Sequence, residues 1–329
     1  MSPIFKKTSI FVKSKPALVA SIGYGSMSSA ISCNLRDSNA SVIIGARKKT
    51  SVSAKKAINE NFKVTGVPQA IKKADFILLA IPDLEIENFF NDNRSVSFEN
   101  KCIILCHGLS FLYHSDAFPK GCDVILISPN VIADCLRANY KSKKKDYALT
   151  AILRDYSGMA SEKLEMICEK MNITGGRAIK SGLREEVFSD LFAEQSLLVG
   201  GILSLIISSF ETMREGGISD EAAYLSTFHE IKYIVDTLFN SGAKEFMAKV
   251  SDVALAGSLM AFFESGLTDN IKKEFKKIYK NITSGKFYRD FTALKKSGKN
   301  FRAVYKKHLD RINESGLCEA YEKFKPIAG

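Results

Sequence analysis

The chain has 329 residues, 46% of them hydrophobic and 25% charged, with a formal net charge of +11. It is long and apolar enough to bury a large core and to build two domains, which excludes a disordered or low-complexity protein. Apart from Lys143-Lys144-Lys145 the lysines are dispersed, without interleaved aromatic residues or zinc-finger spacing, so no nucleic-acid partner is expected.

The N-terminal stretch MSPIFKKTSIFVKSKPALVA has lysines but no continuous apolar segment before a small-residue cleavage site, so no secretory signal is expected. The seven cysteines form no Cys-x-x-Cys pair and several fall in apolar runs, as suits reduced thiols in a cytoplasmic protein.

Residues 17–22 form a short apolar run that ends in Gly23-Tyr24-Gly25-Ser26, and a segment with helical spacing follows. Strand, tight turn and helix make the first unit of a dinucleotide-binding fold, with Gly23 allowing the turn and Gly25 the close approach of a pyrophosphate. Ser28 replaces the third glycine of the fingerprint, so the motif takes its weight from this context. A second apolar run, 41–44, leads to Arg47-Lys48-Lys49-Thr50-Ser51-Val52-Ser53, where an NAD site would place an acid. Cations and hydroxyls suit a 2′-phosphate instead, so the expected cofactor is NADPH, held by Arg47, Thr50, Ser51 and Ser53.

The alternation continues through 76–81 with Pro82-Asp83, 102–106 with His107-Gly108, 124–127 with Ser128-Pro129-Asn130, and 148–153. In a parallel sheet the C-terminal strand ends line the ligand crevice, which places Pro82, Asp83, His107 and Gly108 beside the nucleotide. His107 then stands on the nicotinamide side. His114 and His308 read as surface residues.

After residue 182 the pattern turns helical, with helix-length segments at 185–210, 219–240, 244–265 and 268–282 and a charged, mixed region from 287 onward. The expected organisation is an α/β Rossmann domain over residues 1–182 followed by an all-α helical domain over 183–329. Asp190 and Glu194 lie four residues apart, so on a helix their carboxylates project from successive turns toward one hard cation. Residues 195–210 carry no charge, which predicts a helix buried almost all round. That run falls short of the ~20 apolar residues that cross a bilayer, so no membrane span is expected.

Taken together, Gly23-Tyr24-Gly25-Ser26, Arg47, Pro82-Asp83, His107-Gly108, Asp190-Leu-Phe-x-Glu194-Gln195, Gly200-Gly201, Phe210-Glu211-Thr212, His229-Glu230-Ile-Lys-x-Ile-Val-Asp236 and Ser251 resemble the ketol-acid reductoisomerase family in its short form, over essentially the whole chain. The resemblance implies an NADPH-binding Rossmann domain, a knotted helical domain and two magnesium ions between them. It also implies conversion of 2-acetolactate by a metal-assisted alkyl shift and then hydride transfer, a step of branched-chain amino-acid biosynthesis. Asp190 would be the bridging metal ligand, Glu194 the first-metal ligand and Glu230 the second-metal ligand, while Ser251 would hold the substrate carboxylate. Because Glu230 and Ser251 reach the site from a second subunit in short-form relatives, a homodimer is implied, with higher assembly left open.

Three departures fall at the site. Ser226 stands where the family has a second glutamate, one turn before Glu230. Asn130 stands where it has a lysine beside the metals. Met27-Ser28-Ser29 replaces Gln-Gly-His in the phosphate turn. A neutral Ser226 removes one negative charge from the second ion's surroundings, so one magnesium site is expected to persist and the second to weaken. The expected activity is an NADPH-dependent, magnesium-assisted reductase of a 2-oxo acid or related carbonyl, with Asn130 and Ser226 at the substrate and the alkyl shift weakened or lost. A fully functional ketol-acid reductoisomerase and a non-catalytic nucleotide-binding relative are the alternatives.

Overall fold

A computed structural model describes residues 17–324, so most of the N-terminal stretch read for a secretory signal lies outside the described residues. The chain divides into two compact units, one through Val187 and one from Phe188.

In the first unit the strands are β1 (Leu18–Ile22), β2 (Ser41–Ala46), β3 (Lys63–Gly66), β4 (Phe76–Leu79), β5 (Cys102–Leu105), β6 (Asp123–Pro129), β7 (Ala148–Arg154) and β8 (Ala178–Lys180). They form one eight-stranded sheet in the order β3-β2-β1-β4-β5-β6-β7-β8. Pairing is parallel from β3 through β6, and β7 runs antiparallel to β6. Ala20 pairs with Ile43 on one side and Ile77 on the other. The strand order reverses at β1, which makes the C-terminal ends of β1 and β4 the switch point where a ligand crevice opens.

The helices of this unit are α1 (Ser26–Asp37), α2 (Val52–Asn59), α3 (Val67–Lys73), α4 (Ile86–Asp92), α5 (Leu109–His114), α6 (Ala133–Lys141) and α7 (Ala160–Lys170). Side chains alternate across the sheet. Ile77, Ile103 and Leu105 pack with Ala70 and Ile71 of α3, Phe89 and Phe90 of α4 and Phe111 of α5. Leu78, Ile104, Ile125 and Ile127 pack with Ile31 and Leu35 of α1, Leu136 of α6 and Ile167 of α7. Each fully buried Ile or Leu contributes about 1.5–3 kcal/mol. Strands covered on both faces in this way read in sequence as continuous apolar runs.

Helix α8 (Leu183–Ala193) runs through a π turn at Glu194–Leu198 into α9 (Gly200–Glu215). Next come α10 (Asp220–Tyr224), a π turn at Leu225–His229, α11 (Glu230–Lys249), α12 (Asp252–Leu259), a π turn at Met260–Glu264 and α13 (Leu267–Thr283). Then follow α14 (Lys286–Lys296), α15 (Phe301–Val304), α16 (Lys306–Asn313) and α17 (Gly316–Phe324). Ile206, Ile207 and Phe210 of α9 form the core of the second unit with Ala223 and Tyr224 of α10 and Leu317 and Ala320 of α17.

Two expectations fail in this unit. The segment 244–265 is not one helix: α11 ends at Lys249 and the chain bends by 98° before α12, whereas the break at Gly242, with a φ of 75°, falls in the expected gap between 219–240 and 244–265. The Ser251 hydroxyl accepts from Ala254 N and starts α12 as its N-cap. The run 195–210 is also not buried all round, since Leu198 is 59% and Val199 64% exposed within this chain. Because the helix continues through the π turn, Leu183–Glu215 has an apolar window of mean hydropathy 1.7, of which 22% is buried, and meets the length and composition for crossing a bilayer. The expectation of no such span rested on the length of the uncharged run and on the Gly200-Gly201 pair and serines within it.

Candidate active site

Gly23 turns the chain after β1 with a φ of 88°, and a Cβ there would sit 2.9 Å from the Ala80 carbonyl oxygen at the end of β4. Only glycine fits this close approach. Gly25 is the N-cap of α1, which has no side-chain cap and no acid in its first turn. Its leading N–H groups are thus left to an anion, as a nucleotide pyrophosphate requires. Ser26 is exposed beside them. The Tyr24 side chain points the other way: it is 3% exposed and packs with Cys33, Ile44, Ala57 and Phe62, so Tyr24 offers the turn only its backbone.

At the end of β2, Arg47, Lys48, Lys49 and Thr50 are all exposed. Ser51 is the N-cap of α2, accepting from Ala54 N at 3.3 Å, and its hydroxyl lies 3.3 Å from that of Ser53. This exposed cationic loop opening a helix N-terminus suits a phosphate monoester.

Pro82 and Asp83 follow β4, and Asp83 Oδ1 accepts from Ser110 N at 3.3 Å. Burial pushes the Asp83 carboxyl above its ordinary range, against the opposing influence of His107. Beyond β5, His107 Nδ1 lies 3.0 Å from Glu186 Oε1, and Gly108 N donates to Glu186 Oε2 at 3.0 Å. Glu186 is 0% exposed, and its two oxygens engage His107 and Gly108 beyond the C-terminal end of β5. A Cβ on Gly108 would meet Glu186 Oε2 at 2.9 Å and Leu183 Cδ1 at 2.6 Å, so a larger residue there would have to displace the ends of both side chains. Burial also pushes the Cys106 thiol up to about 12, so it is no nucleophile at neutral pH. Asn130 is exposed after β6, its N–H donating to Tyr147 O at 3.0 Å.

Sequence reasoning missed Glu186. Its one signal was position: Glu186, Asp190 and Glu194 fall at four-residue intervals along one helix. His107 and Glu186 also offer ligand atoms close enough to share a cation, though a hard ion prefers oxygen donors.

In the second unit, Asp190 lies on α8, and Glu194 opens the π turn in which Val199 N reaches Glu194 O at 3.2 Å. Ser226 lies inside the second π turn and Glu230 directly follows it, with Glu230 N donating to Leu225 O. Ser226 and Glu230, four residues apart, therefore stay about one helical turn apart, the turn here being bonded i→i+5. Single π turns recur at functional sites, and here one begins at Glu194 and another ends next to Glu230. Ser251 is exposed at the bend before α12, with its hydroxyl engaged in capping. Among the described residues, Glu194 and Glu230 join no group of three potential metal ligands. The carboxylates of Asp190, Glu194 and Glu230 nonetheless fit a magnesium ion in donor chemistry, each being a hard oxygen ligand.

Residues 13–178 match the family described as acetohydroxy acid isomeroreductase, NADPH-binding domain, and residues 183–320 match ketol-acid reductoisomerase, C-terminal domain. The chain is 33% identical over 312 residues to a ketol-acid reductoisomerase (NADP(+)) of Methanopyrus kandleri, covering 94% of this chain and 93% of that one. It is 33% identical over 314 residues to a ketol-acid reductoisomerase (NADP(+)) of Petrotoga mobilis, covering 95% and 94%. The fold is similar to that of an NADH-preferring ketol-acid reductoisomerase from an uncultured archaeon, with a TM-score of 0.86, 25% identity and 94% of both chains covered. A glycine turn and crevice histidine in one unit, acid-bearing helices in the other and matches to both halves lead to one assignment: the chain belongs to the ketol-acid reductoisomerase family.

Proposed function

We propose that this chain is an NADPH-dependent, magnesium-assisted reductase of a 2-oxo acid or related carbonyl, with the alkyl shift of its family weakened or lost. The observation that carries it is the buried Glu186 carboxylate holding His107 and Gly108 beyond the C-terminal end of β5, on the same sheet whose β1 leads into the uncapped α1 N-terminus, which supports a retained hydride transfer. Ser226 and Asn130 stand uncharged where the resemblance implies a carboxylate and a cation. An alkyl shift needs an alkoxide and a neighbouring carbonyl stabilised together, so it loses more from these changes than a ketone reduction does.

In the reduction, the α1 N–H groups and the Arg47 loop bind the nucleotide's phosphates and hold it at the switch point. When bound, the nucleotide supplies hydride and magnesium polarises the carbonyl, with Asp190, Glu194 and Glu230 as the residues that would hold the ion. As hydride adds to the carbonyl carbon, the carbonyl oxygen takes up a proton. Glu186 accepts from Nδ1–H, which fixes the His107 tautomer and supports a charged imidazole able to give that proton.

The same reading makes the enzyme a homodimer, with the knotted helical arrangement part of that proposal. Helices α11 and α12 contribute no buried residue, and Phe239 is 80%, Val253 85% and Phe263 64% exposed. Apolar faces of this extent mark an obligate partner, and a second copy would cover them beside Glu230 and Ser251. The apolar stretch of α9 belongs to this contact and not to lipid, because Ile206, Ile207 and Phe210 on it already form a protein core. A cytoplasmic location accords with the cysteines, which are all free.

The relatives at 33% identity favour a second reading, a fully functional ketol-acid reductoisomerase. Following NADPH oxidation with 2-acetolactate and with its rearranged isomer, 3-hydroxy-3-methyl-2-oxobutyrate, separates the two.

A further inference from the structure

Tyr24 stands in sequence between the two glycines of the phosphate turn, yet its hydroxyl reaches away from the crevice to donate to Glu60 Oε2 at 2.5 Å. Glu60 caps the C-terminal end of α2, and Cys33 of α1 donates to the same oxygen at 3.5 Å. Lys56, one turn earlier on α2, stays 3.9 Å from Glu60 Oε1 and donates to the Ser29 hydroxyl of α1 at 3.2 Å. Arg36 Nη1 donates a hydrogen bond of 2.6 Å to the Glu60 carbonyl oxygen. All of this lies behind the turn, where Tyr24 is 3% exposed.

The two ends of α2 do different things. Its C-terminal end is tied through Glu60 to the phosphate turn and α1. Its N-terminal end carries Ser51 and Ser53 of the loop assigned to the 2′-phosphate. Eight helical residues span about 12 Å and act as a stiff rod. We infer that the Tyr24–Glu60 bond is a positioning device for the nucleotide: it fixes the distance between the pyrophosphate turn after β1 and the 2′-phosphate loop that opens α2. Tyr24 and Glu60 thereby set affinity and preference for the phosphorylated cofactor without touching it. The inference rests on the NADPH reading above. A hydrogen bond from a neutral donor to a carboxylate is among the stronger ones, and a hydroxyl placed against a carboxylate keeps its proton, so the brace holds across physiological pH. Burial with the Glu60 hydrogen bond pushes the Tyr24 phenol far above its ordinary value, in the same sense.

The test uses the full-length chain and reads binding directly by NADPH and NADH fluorescence titration, together with the thermal unfolding midpoint. Tyr24→Phe should raise the NADPH dissociation constant about tenfold and the NADH constant roughly threefold or less, because only NADPH needs both anchor points in register. Glu60→Gln keeps an acceptor and should bind NADPH within roughly threefold of wild type, whereas Glu60→Leu should match Tyr24→Phe. Tyr140→Phe, which removes the 2.5 Å contact of Tyr140 with the Ser38 hydroxyl elsewhere in the same unit, is the control for stability alone. It should lower the midpoint and leave both constants unchanged. A Tyr24→Phe chain that loses stability like the control yet binds both nucleotides as wild type does would overturn the inference and leave the cofactor reading standing. Wild-type protein that binds neither nucleotide would overturn both.

Discussion

The Nδ1 atom of His107 lies 3.0 Å from Oε1 of Glu186, a carboxylate 79 residues away in sequence and 0% exposed. Its other oxygen accepts from the Gly108 N–H, so one side chain fixes both the ring and the backbone beneath it. Glu186→Gln keeps the shape but cannot accept at both atoms. Turnover should fall by about 100-fold, the usual contribution of a positioned acid or base, while NADPH binding stays near wild type. Steady-state kinetics beside a nucleotide titration checks this, and unchanged turnover would remove His107 from the chemistry.

Arg47 stands exposed at the end of β2, and the neighbouring Ser51 caps α2. Arg47→Ala should weaken NADPH binding by about tenfold and leave NADH binding nearly unchanged, since only the former carries a 2′-phosphate. Equal losses for both nucleotides would show that the loop does not discriminate. The result also bears on the similar archaeal enzyme described as NADH-preferring.

The bare faces of α11 and α12 predict the assembly state. Light scattering should give twice the chain mass of 36.4 kDa, and Phe239→Lys, placed at a side chain 80% exposed in the single chain, should yield monomer or aggregate with lost activity. A wild-type monomer with full activity would contradict the proposal that Glu230 and Ser251 serve a site shared between copies.

Asp123, with its side chain 1% exposed, is bound by Lys163 Nζ, the Ser157 hydroxyl and the N–H groups of Tyr156 and Ser157. Burial alone would raise its carboxyl, but Lys163 and these donors outweigh it and hold the group below its ordinary range. A carboxyl depressed on folding adds stability above its unfolded value, about 3.9, and that stability is lost as pH falls toward the folded value. Asp123→Asn should therefore cost about 3 kcal/mol at pH 7, and much less near pH 3, in denaturant titrations at the two pH values. An equal cost at both would deny the charge its role.

Much of the first unit was legible because its strands are continuous apolar runs that end in Gly, Pro or His. The missed strands, β3 and β8, are short, and Lys63, Lys180 and Ile179 leave them half polar or exposed. Glu186 was hidden because Arg184-Glu185-Glu186 has the composition of a solvated helix start, and only the fold brings it to His107. Ser251-Asp252 carried an N-cap signature that went unused inside an apparently continuous helical pattern. The run 195–210 is uncharged, but absence of charge does not say whether the same chain or another covers it. The π turns at Glu194–Leu198 and Leu225–His229 leave no mark in composition.

The account depends most on a surviving hydride transfer beside a weakened alkyl shift. NADPH oxidation should be followed with magnesium present and absent, using 2-acetolactate in one series and 3-hydroxy-3-methyl-2-oxobutyrate in the other. The rearranged acid should turn over at least about tenfold faster than 2-acetolactate, the cost of about 1.4 kcal/mol in the rearrangement barrier. Equal turnover of the two would contradict it and identify a complete ketol-acid reductoisomerase.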